Sequence, residues 1–229
     1  MTVGFRIVAM PARPSNTLIQ GFAEMVTPHI SDNMARTQGA TGALRPMYRG
    51  AGTAAQKTMV GPAFTVKTRP GDNLMVHKAL DIAQPGDVIV VDAGGALDQA
   101  IIGEIMSRTA TKRGLGGLVI DGAIRDAAAI AASDFPVFAR GVIHRGPYKD
   151  GPGEINVPIQ VAGMVVMPGD IMVGDADGLV AISQADADSV LKAARAVRIK
   201  EDAIMIEIDK GRVDRSWVDA ALKAKGVAV

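Results

Sequence analysis

The sequence predicts a single α/β domain built on a parallel βαβ unit, and three observations predict it. Residues 88–91 (VIVV) are a short β-branched run closed by Asp92, and residues 118–120 (LVI) repeat the pattern and close on Asp121. Such runs read as strands buried on both faces. Between them lie a glycine-punctuated turn (Gly94, Gly95, Gly103) and a segment of helical character over 104–112. Strand, helix, strand in that order forms a right-handed parallel crossover. Finally, apolar residues recur at helical spacing from about 184 to 209, which adds a helical tail (184–229) to a core over about 15–183.

Residues 1–14 are a mixed lead-in ending in prolines. Residues 16–25 place Leu18, Phe22 and Met25 on one helical face. Ser31 is expected to start and N-cap a second short helix, with Asp32 in the cap region. Residues 41–61 are glycine-rich and weakly patterned, with Arg45 and Arg49 expected in solvent. Residues 63–69 alternate like a strand. Asp72 closes a Pro-Gly-Asp turn and is expected to cap a helix over 73–83. His77 lies inside that helix and reads as a packed or surface residue. The helix after Asp126 runs through 127–132, and 135–140 is a short strand. The loop over 140–155, rich in glycine and proline, carries His144, Arg145, Tyr148 and Lys149. It is the candidate rim of a pocket.

Strands are expected over 155–163, 164–167 and 179–182, separated by turns at 168–170 and 175–178. Asp175 and Asp177 lack the ligand alternation of a calcium loop, so the second turn reads as a hairpin. The tail carries an apolar stripe through Ala185, Val190, Ala193, Ala194, Val197, Ile204 and Ile208. The only tryptophan, Trp217, is expected to anchor the tail against the body or a partner subunit.

Composition narrows the function classes. A chain of 229 residues that is 48% hydrophobic can bury a sizeable core. A net charge of +1 points to neither nucleic acid nor an acidic membrane surface. There is no cysteine, which excludes disulfides and thiolate metal sites and suggests a cytoplasmic home. No apolar run approaches the ~18 residues of a membrane span. Aromatics are only 3% of the chain, so Ala, Val, Ile and the 12 methionines must fill the core.

Ligands of parallel α/β units collect beyond the carboxyl ends of the strands. Both strands deliver their polar residues to that end: Asp92 with Gly94, Gly95 and the Gly103–Glu104 step, and Gly122 with Arg125 and Asp126. Glycines and a helix start can gather backbone N–H groups around an anion. Arg125 offers a planar fork for a carboxylate or carbonyl oxygen. Asp126 and Glu104 are hard oxygen ligands suited to Mg²⁺ or Mn²⁺. The set suits a small oxo acid chelated to a divalent cation. The same residues also read as turn glycines with a surface Arg and Asp at a helix start.

Glu104, the twenty residues 105–124, and then Arg125–Asp126 resemble the signature of the class II pyruvate aldolases. These enzymes cleave 4-hydroxy-4-methyl-2-oxoglutarate and 4-carboxy-4-hydroxy-2-oxoadipate, and share their fold with the regulators of ribonuclease E activity. The segments TPHISD (27–32), HKAL (77–80), FPVF (135–138) and VGDADG (173–178) resemble further blocks of that family and bring the likeness to most of the chain. The family signature opens with aspartate; here it opens with Glu104.

The resemblance implies a β/β/α domain of the swivelling phosphohistidine-domain type. It implies Mg²⁺ or Mn²⁺ held by Asp126, with Glu104 acting directly or through a water. The substrate carboxylate would lie on the backbone of Gly103, Glu104, Ile105 and Met106, and Arg125 would stabilise an enolate. Glu201, or else Glu207, would come from the C-terminal helix to complete a neighbouring subunit's site in a homotrimer or homohexamer. The expected activity is release of pyruvate from a small 2-oxo acid, accompanied by oxaloacetate decarboxylation.

The rival expectation is a non-catalytic ring that binds and restrains a ribonuclease. The glycines of 91–97 also loosely resemble a methyltransferase nucleotide motif, but the acid expected for a ribose at the end of the next strand is not evident. Lys57, Lys67, Lys78 and Lys112 sit in polar contexts, which argues against a Schiff-base aldolase.

Overall fold

The structure, a computed structural model, describes residues 2–48 and 58–229; the Arg49 and Lys57 readings fall outside them. Helix α1 (Asn16–Ala23) begins at Ser15, whose hydroxyl accepts the Leu18 amide at 3.3 Å. It buries Phe22 as its periodicity predicts. Helix α2 (Thr27–Asp32) corrects the expectation for Ser31, which lies in its last turn rather than at its start. The start is fixed from a distance: Asp175 accepts the Thr27 amide at 2.7 Å and the Thr27 hydroxyl at 2.6 Å. Asp32 sits at the far end and pairs with exposed Arg36.

The remaining elements are β1 (Arg45–Pro46), β2 (Met59–Thr68), α3 (Leu74–Ile82), β3 (Val88–Asp92), β4 (Ala100–Ile102), α4 (Glu104–Lys112), β5 (Gly117–Ile124), α5 (Ala127–Ala131) and β6 (Val137–Val142). They continue as β7 (Gly153–Ile155), β8 (Ile159–Val161), β9 (Met164–Val166), β10 (Ile171–Gly174), β11 (Leu179–Ile182), α6 (Ala187–Asp209) and α7 (Ser216–Lys223). Among the described residues, one mixed sheet runs β1-β6-β5-β3-β2-β10-β11, with β4 added beside β5 and β7 beside β2. Strands β2, β3, β5 and β6 are parallel. The 175–178 turn is the predicted hairpin, closed by the Asp175 amide on the Gly178 carbonyl at 3.0 Å and joining antiparallel β10 and β11.

The sheet curls, and each strand feeds two cores by simple alternation. On β3, Ile89 and Val91 pack with α3 and α4, while Val88 and Val90 face the interior of the curl. On β10, Met172 faces that interior and Ile171 and Val173 pack under α1, α2 and α6. Burial on both faces explains the continuous apolar runs. It also explains why β2, read as alternating, is buried at nearly every position.

In the tail, α6 buries Ala187, Val190, Leu191 and Ala194 in its first half. Its second half leaves Ile199, Met205 and Ile206 exposed. Trp217, on α7, is 67% exposed, so it does not anchor the tail to its own chain's body.

Candidate functional site

The pocket grows out of one short strand that the sequence reading missed. β4 lies parallel to the end of β5, with Ala100 opposite Ala123 and Ile102 opposite Ile124. The Arg125 amide donates to the Ile102 carbonyl at 2.9 Å. The start of α4 is thereby held against the Arg125–Asp126 step, twenty-odd residues later in the chain. Gly103 is the N-cap position of α4, and its extended backbone (φ −146°) would suit any residue. Space is what requires glycine: a Cβ there would collide with Asp126 Oδ2 and lie 2.9 Å from Arg125 Cγ.

Asp126 adopts a left-handed backbone (φ 57°, ψ 38°) at the start of α5 and does not cap that helix. An aspartate tolerates this conformation better than most residues, at a cost of about 1 kcal/mol or more. Its Oδ2 turns to α4 and accepts the Glu104 amide at 3.0 Å, where the helix dipole favours a carboxylate. Arg125 Nε lies 3.8 Å from the same oxygen. Oδ1 accepts no hydrogen bond from the described residues.

A cavity of about 300 Å³ opens at this junction. Gly103, Ile105, Met106, Arg125 and Asp126 line it. The first-turn amides of α4 have no partners within the helix and are directed at its N-terminal end. Asn73 and His77 from α3, and Gly146, Pro147 and Lys149 from the 140–155 loop, complete the wall. The rim expected of that loop is therefore present. His77, read as an ordinary helical residue, faces the pocket; only the placement of α3 reveals it. Its partly buried setting, and then the positive charge of Lys149, lower its pKa below the ordinary histidine value, so it is neutral near pH 7.

The loop is fastened to the start of α3 through Asp72. This fully buried carboxylate accepts the amides of Leu74 (2.9 Å), Asp150 (2.8 Å) and Gly151 (2.9 Å). Burial alone would raise its pKa; the three amides and Arg69 more than offset that and hold it below the ordinary value. The cap expected of Asp72 is thus met at Leu74, and the same group does more: it ties the rim to the helix.

Other candidates lie apart from the cavity. The Glu104 carboxylate turns along its own helix to Arg108 at 3.1 Å, away from Asp126's pocket. The Glu201 carboxylate accepts a hydrogen bond from His29 Nε2 at 2.7 Å. Glu207 pairs with Lys210 and Arg212. Neither glutamate reaches the pocket of its own chain. Gly94 and Gly95 form no anion nest, because their amides are used by Asp92 Oδ1 and the Asp121 carbonyl. Asp121 pairs with Arg140 and accepts the Ala162 amide at 2.9 Å, a structural role.

Gly103→Ala tests the junction. Displacing Arg125 and Asp126 by a fraction of an ångström to an ångström is expected to lower turnover by about 10²-fold. Measured with thermal melting, the change should be confined largely to activity. Turnover within twofold of wild type would place the chemistry elsewhere.

Comparisons with known proteins identify the family. The family profile described as "RraA-like: Aldolase/RraA" matches residues 27–181. A protein of Halalkalibacterium halodurans named "Putative 4-hydroxy-4-methyl-2-oxoglutarate aldolase" is 40% identical over 185 residues, 81% of this chain and 85% of that one. Among solved structures, an uncharacterized protein from Pseudomonas syringae pv. tomato superposes with a TM-score of 0.77 at 28% identity, covering 88% of this chain and 96% of that one. The RNA-processing inhibitor RraA from Thermus thermophilis gives 0.62 at 29% identity, covering 69% and 93%. With the profile spanning well over half of its length, the chain belongs to the RraA-like family.

Proposed function

We propose that the protein is a carbon–carbon lyase: a divalent-metal-dependent aldolase that cleaves a 4-hydroxy-2-oxo acid to pyruvate and a second oxo acid. 4-Hydroxy-4-methyl-2-oxoglutarate and 4-carboxy-4-hydroxy-2-oxoadipate are the model substrates, and oxaloacetate decarboxylation is the expected side reaction. One observation carries the reading: β4 seats the amide-rich start of α4 against Arg125 and Asp126 in one pocket. The name of the 40% identical relative supports it. The swivelling β/β/α description of the domain and a cytoplasmic location belong to the same reading.

The residues present suit a metal held by one carboxylate. Among the described residues, no three His, Asp or Glu side chains converge to cage an ion. Asp126 Oδ1 is open, and Mg²⁺ commonly binds through one or two carboxylates while keeping several waters. Glu104 is 43% exposed and held only by a surface pair with Arg108, so its carboxylate can swing toward the pocket at small cost. When bound, the metal supplies positive charge to the oxo-acid oxygens.

The protein's own groups do the rest. First-turn amides of α4 hold the C1 carboxylate. Arg125 donates to the C2 oxygen as it gains negative charge during C3–C4 cleavage, an electrostatic contribution of the oxyanion-hole kind. Loss of CO₂ from oxaloacetate leaves the same enolate, which is why both reactions are expected. In a closed ring of three or six chains, Glu201 would approach the next subunit's Asp126.

The deciding experiment is pyruvate release from 4-hydroxy-4-methyl-2-oxoglutarate and oxaloacetate, with Mg²⁺ or Mn²⁺ and with excess EDTA. Release that chelation abolishes and metal restores is the expected result. Full activity in EDTA would overturn the metal mechanism. No release under any condition would favour a non-catalytic ring that restrains a ribonuclease.

A further inference from the structure

The lead-in before α1 is not loose chain. β7 pairs with β2 along one edge, and residues 4–8 run along its other edge, with Ile7 opposite Ile155 in a parallel bridge. The Gly4 carbonyl accepts the Gly153 amide at 2.7 Å, and the Arg6 carbonyl accepts the Ile155 amide at 2.9 Å. The Val8 amide donates to the Ile155 carbonyl at 3.0 Å. Between these pairings, buried Glu154 accepts two bonds from the Arg6 guanidinium, at 2.7 and 2.8 Å, and one from the Gly4 amide at 2.7 Å. The guanidinium and then the amide hold the Glu154 carboxyl down at about 2, so the clasp stays charged near neutral pH.

This segment touches the loop that walls the pocket. The Phe5 ring lies so close to Gly151 that a Cβ there would come within 2.6 Å of Phe5 Cε1. The Gly151 amide is in turn held by Asp72 at 2.9 Å, and Gly146, Pro147 and Lys149 of the wall lie just before it in the chain. The segment is also separable. Val3 is 80% exposed, Phe5 51%, Ile7 39% and Val8 40%, so the clasp and a few backbone bonds hold it rather than a core. Segments held that way open at low free energy. Its far end is fixed independently: Arg13 makes two bonds of 2.8 Å to inaccessible Asp87, and the Ala12 carbonyl accepts Gln184 Nε2 at 2.8 Å. Residues 2–8 can therefore lift while 12–13 stay in place.

We propose that residues 2–8 are a releasable strap over the pocket loop: clasped, they hold residues 146–151 in place, and lifted, they free them and weaken binding in the pocket. Arg6 and Glu154 are positioning residues in this device. Neither lines the cavity, and both act through Gly151. The consequence for substrate rests on the aldolase reading; the mechanical coupling does not.

The test is amide hydrogen exchange in the full chain. Arg6→Ala is expected to speed exchange at Gly153 and Ile155 by about 10–100-fold, the size of one charge-assisted hydrogen bond. Exchange at Asp150 and Gly151 should rise with it, by about 3–10-fold, because opening spreads from the strap to the loop. Arg6→Lys should restore part of the protection. Adding Glu154→Gln to Arg6→Ala should change little more, since the two groups act as one clasp. Phe5→Ala, which trims a half-exposed ring, repeats the test without touching the charges. With 4-hydroxy-4-methyl-2-oxoglutarate, KM should rise by about 3–10-fold at nearly constant kcat, as for a loss of binding alone. Faster exchange at Gly153 and Ile155 with none at Asp150 and Gly151 would overturn the coupling. So would an unchanged KM beside a loosened loop. Wild-type protein that releases no pyruvate would overturn the aldolase reading, and the exchange data would still decide the strap.

Discussion

Arg125→Ala is expected to lower kcat by about 10²–10³, the usual loss when one donor to a developing oxyanion is removed. Arg125 lines the cavity, its side chain is 42% exposed, and its nearest charged neighbour is Asp126 Oδ2 at 3.8 Å. So open an ion pair contributes little to stability, about 1 kcal/mol at most. The melting temperature should therefore barely move while turnover collapses. Because the donor acts on charge that develops during bond cleavage, kcat and kcat/KM should fall together, with KM little changed. Arg125→Lys should recover only part of the loss, since a point charge cannot reproduce the planar fork. Asp126→Ala should abolish the response to added Mg²⁺. Near wild-type turnover in both alanine variants would show that the reaction, if any, is carried elsewhere.

What the sequence revealed of this site follows from the distance over which each contact is made. Strands β3 and β5 were legible because burial on both faces leaves an unbroken β-branched run. Helix α4 was legible to the residue, and so were Gly103, Ile105, Met106, Arg125 and Asp126, which line the pocket; Glu104, expected with them, turns away. β4 was not: three apolar residues carry no periodicity, and their strand character comes from lying against Ala123 and Ile124. Ser31 misled for a related reason. It is a good local cap, but α2 is started by Asp175, 148 residues away, which outcompetes it. Asp126 shows the same effect inside the site. Its position suggested the start of its own helix, yet its side chain caps the start of α4. His77 could be placed in a helix but not on the pocket side of it. Lys149 could be placed only in a loop of mixed polar residues.

Asp72→Ala is expected to destabilise the protein more than any substitution within the pocket. The carboxylate is inaccessible to solvent and serves the Leu74, Asp150 and Gly151 amides and the Arg69 guanidinium. Alanine would leave the three amides without their acceptor. Each such group costs about 1–3 kcal/mol, and some solvent entry would reduce the sum, so a loss of about 3–5 kcal/mol is expected. At roughly 2–4 °C per kcal/mol for a chain of this size, the midpoint should fall by on the order of 10 °C. Asp72→Asn keeps one oxygen acceptor but turns the other group into a donor facing donors, so it should recover only a minor part. The pH dependence has a definite sign. A carboxyl whose folded pKa is depressed stabilises the fold above its ordinary value and loses that contribution as pH falls through the depressed one. Wild type should therefore lose stability in acid over that window, and Asp72→Ala should lose less there. The functional consequence tests the architecture as well: freeing residues 146–150 from α3 should loosen the pocket rim and raise KM while the Arg125 contribution to kcat persists. A variant with wild-type melting behaviour would mean that the rim is fastened by something other than Asp72.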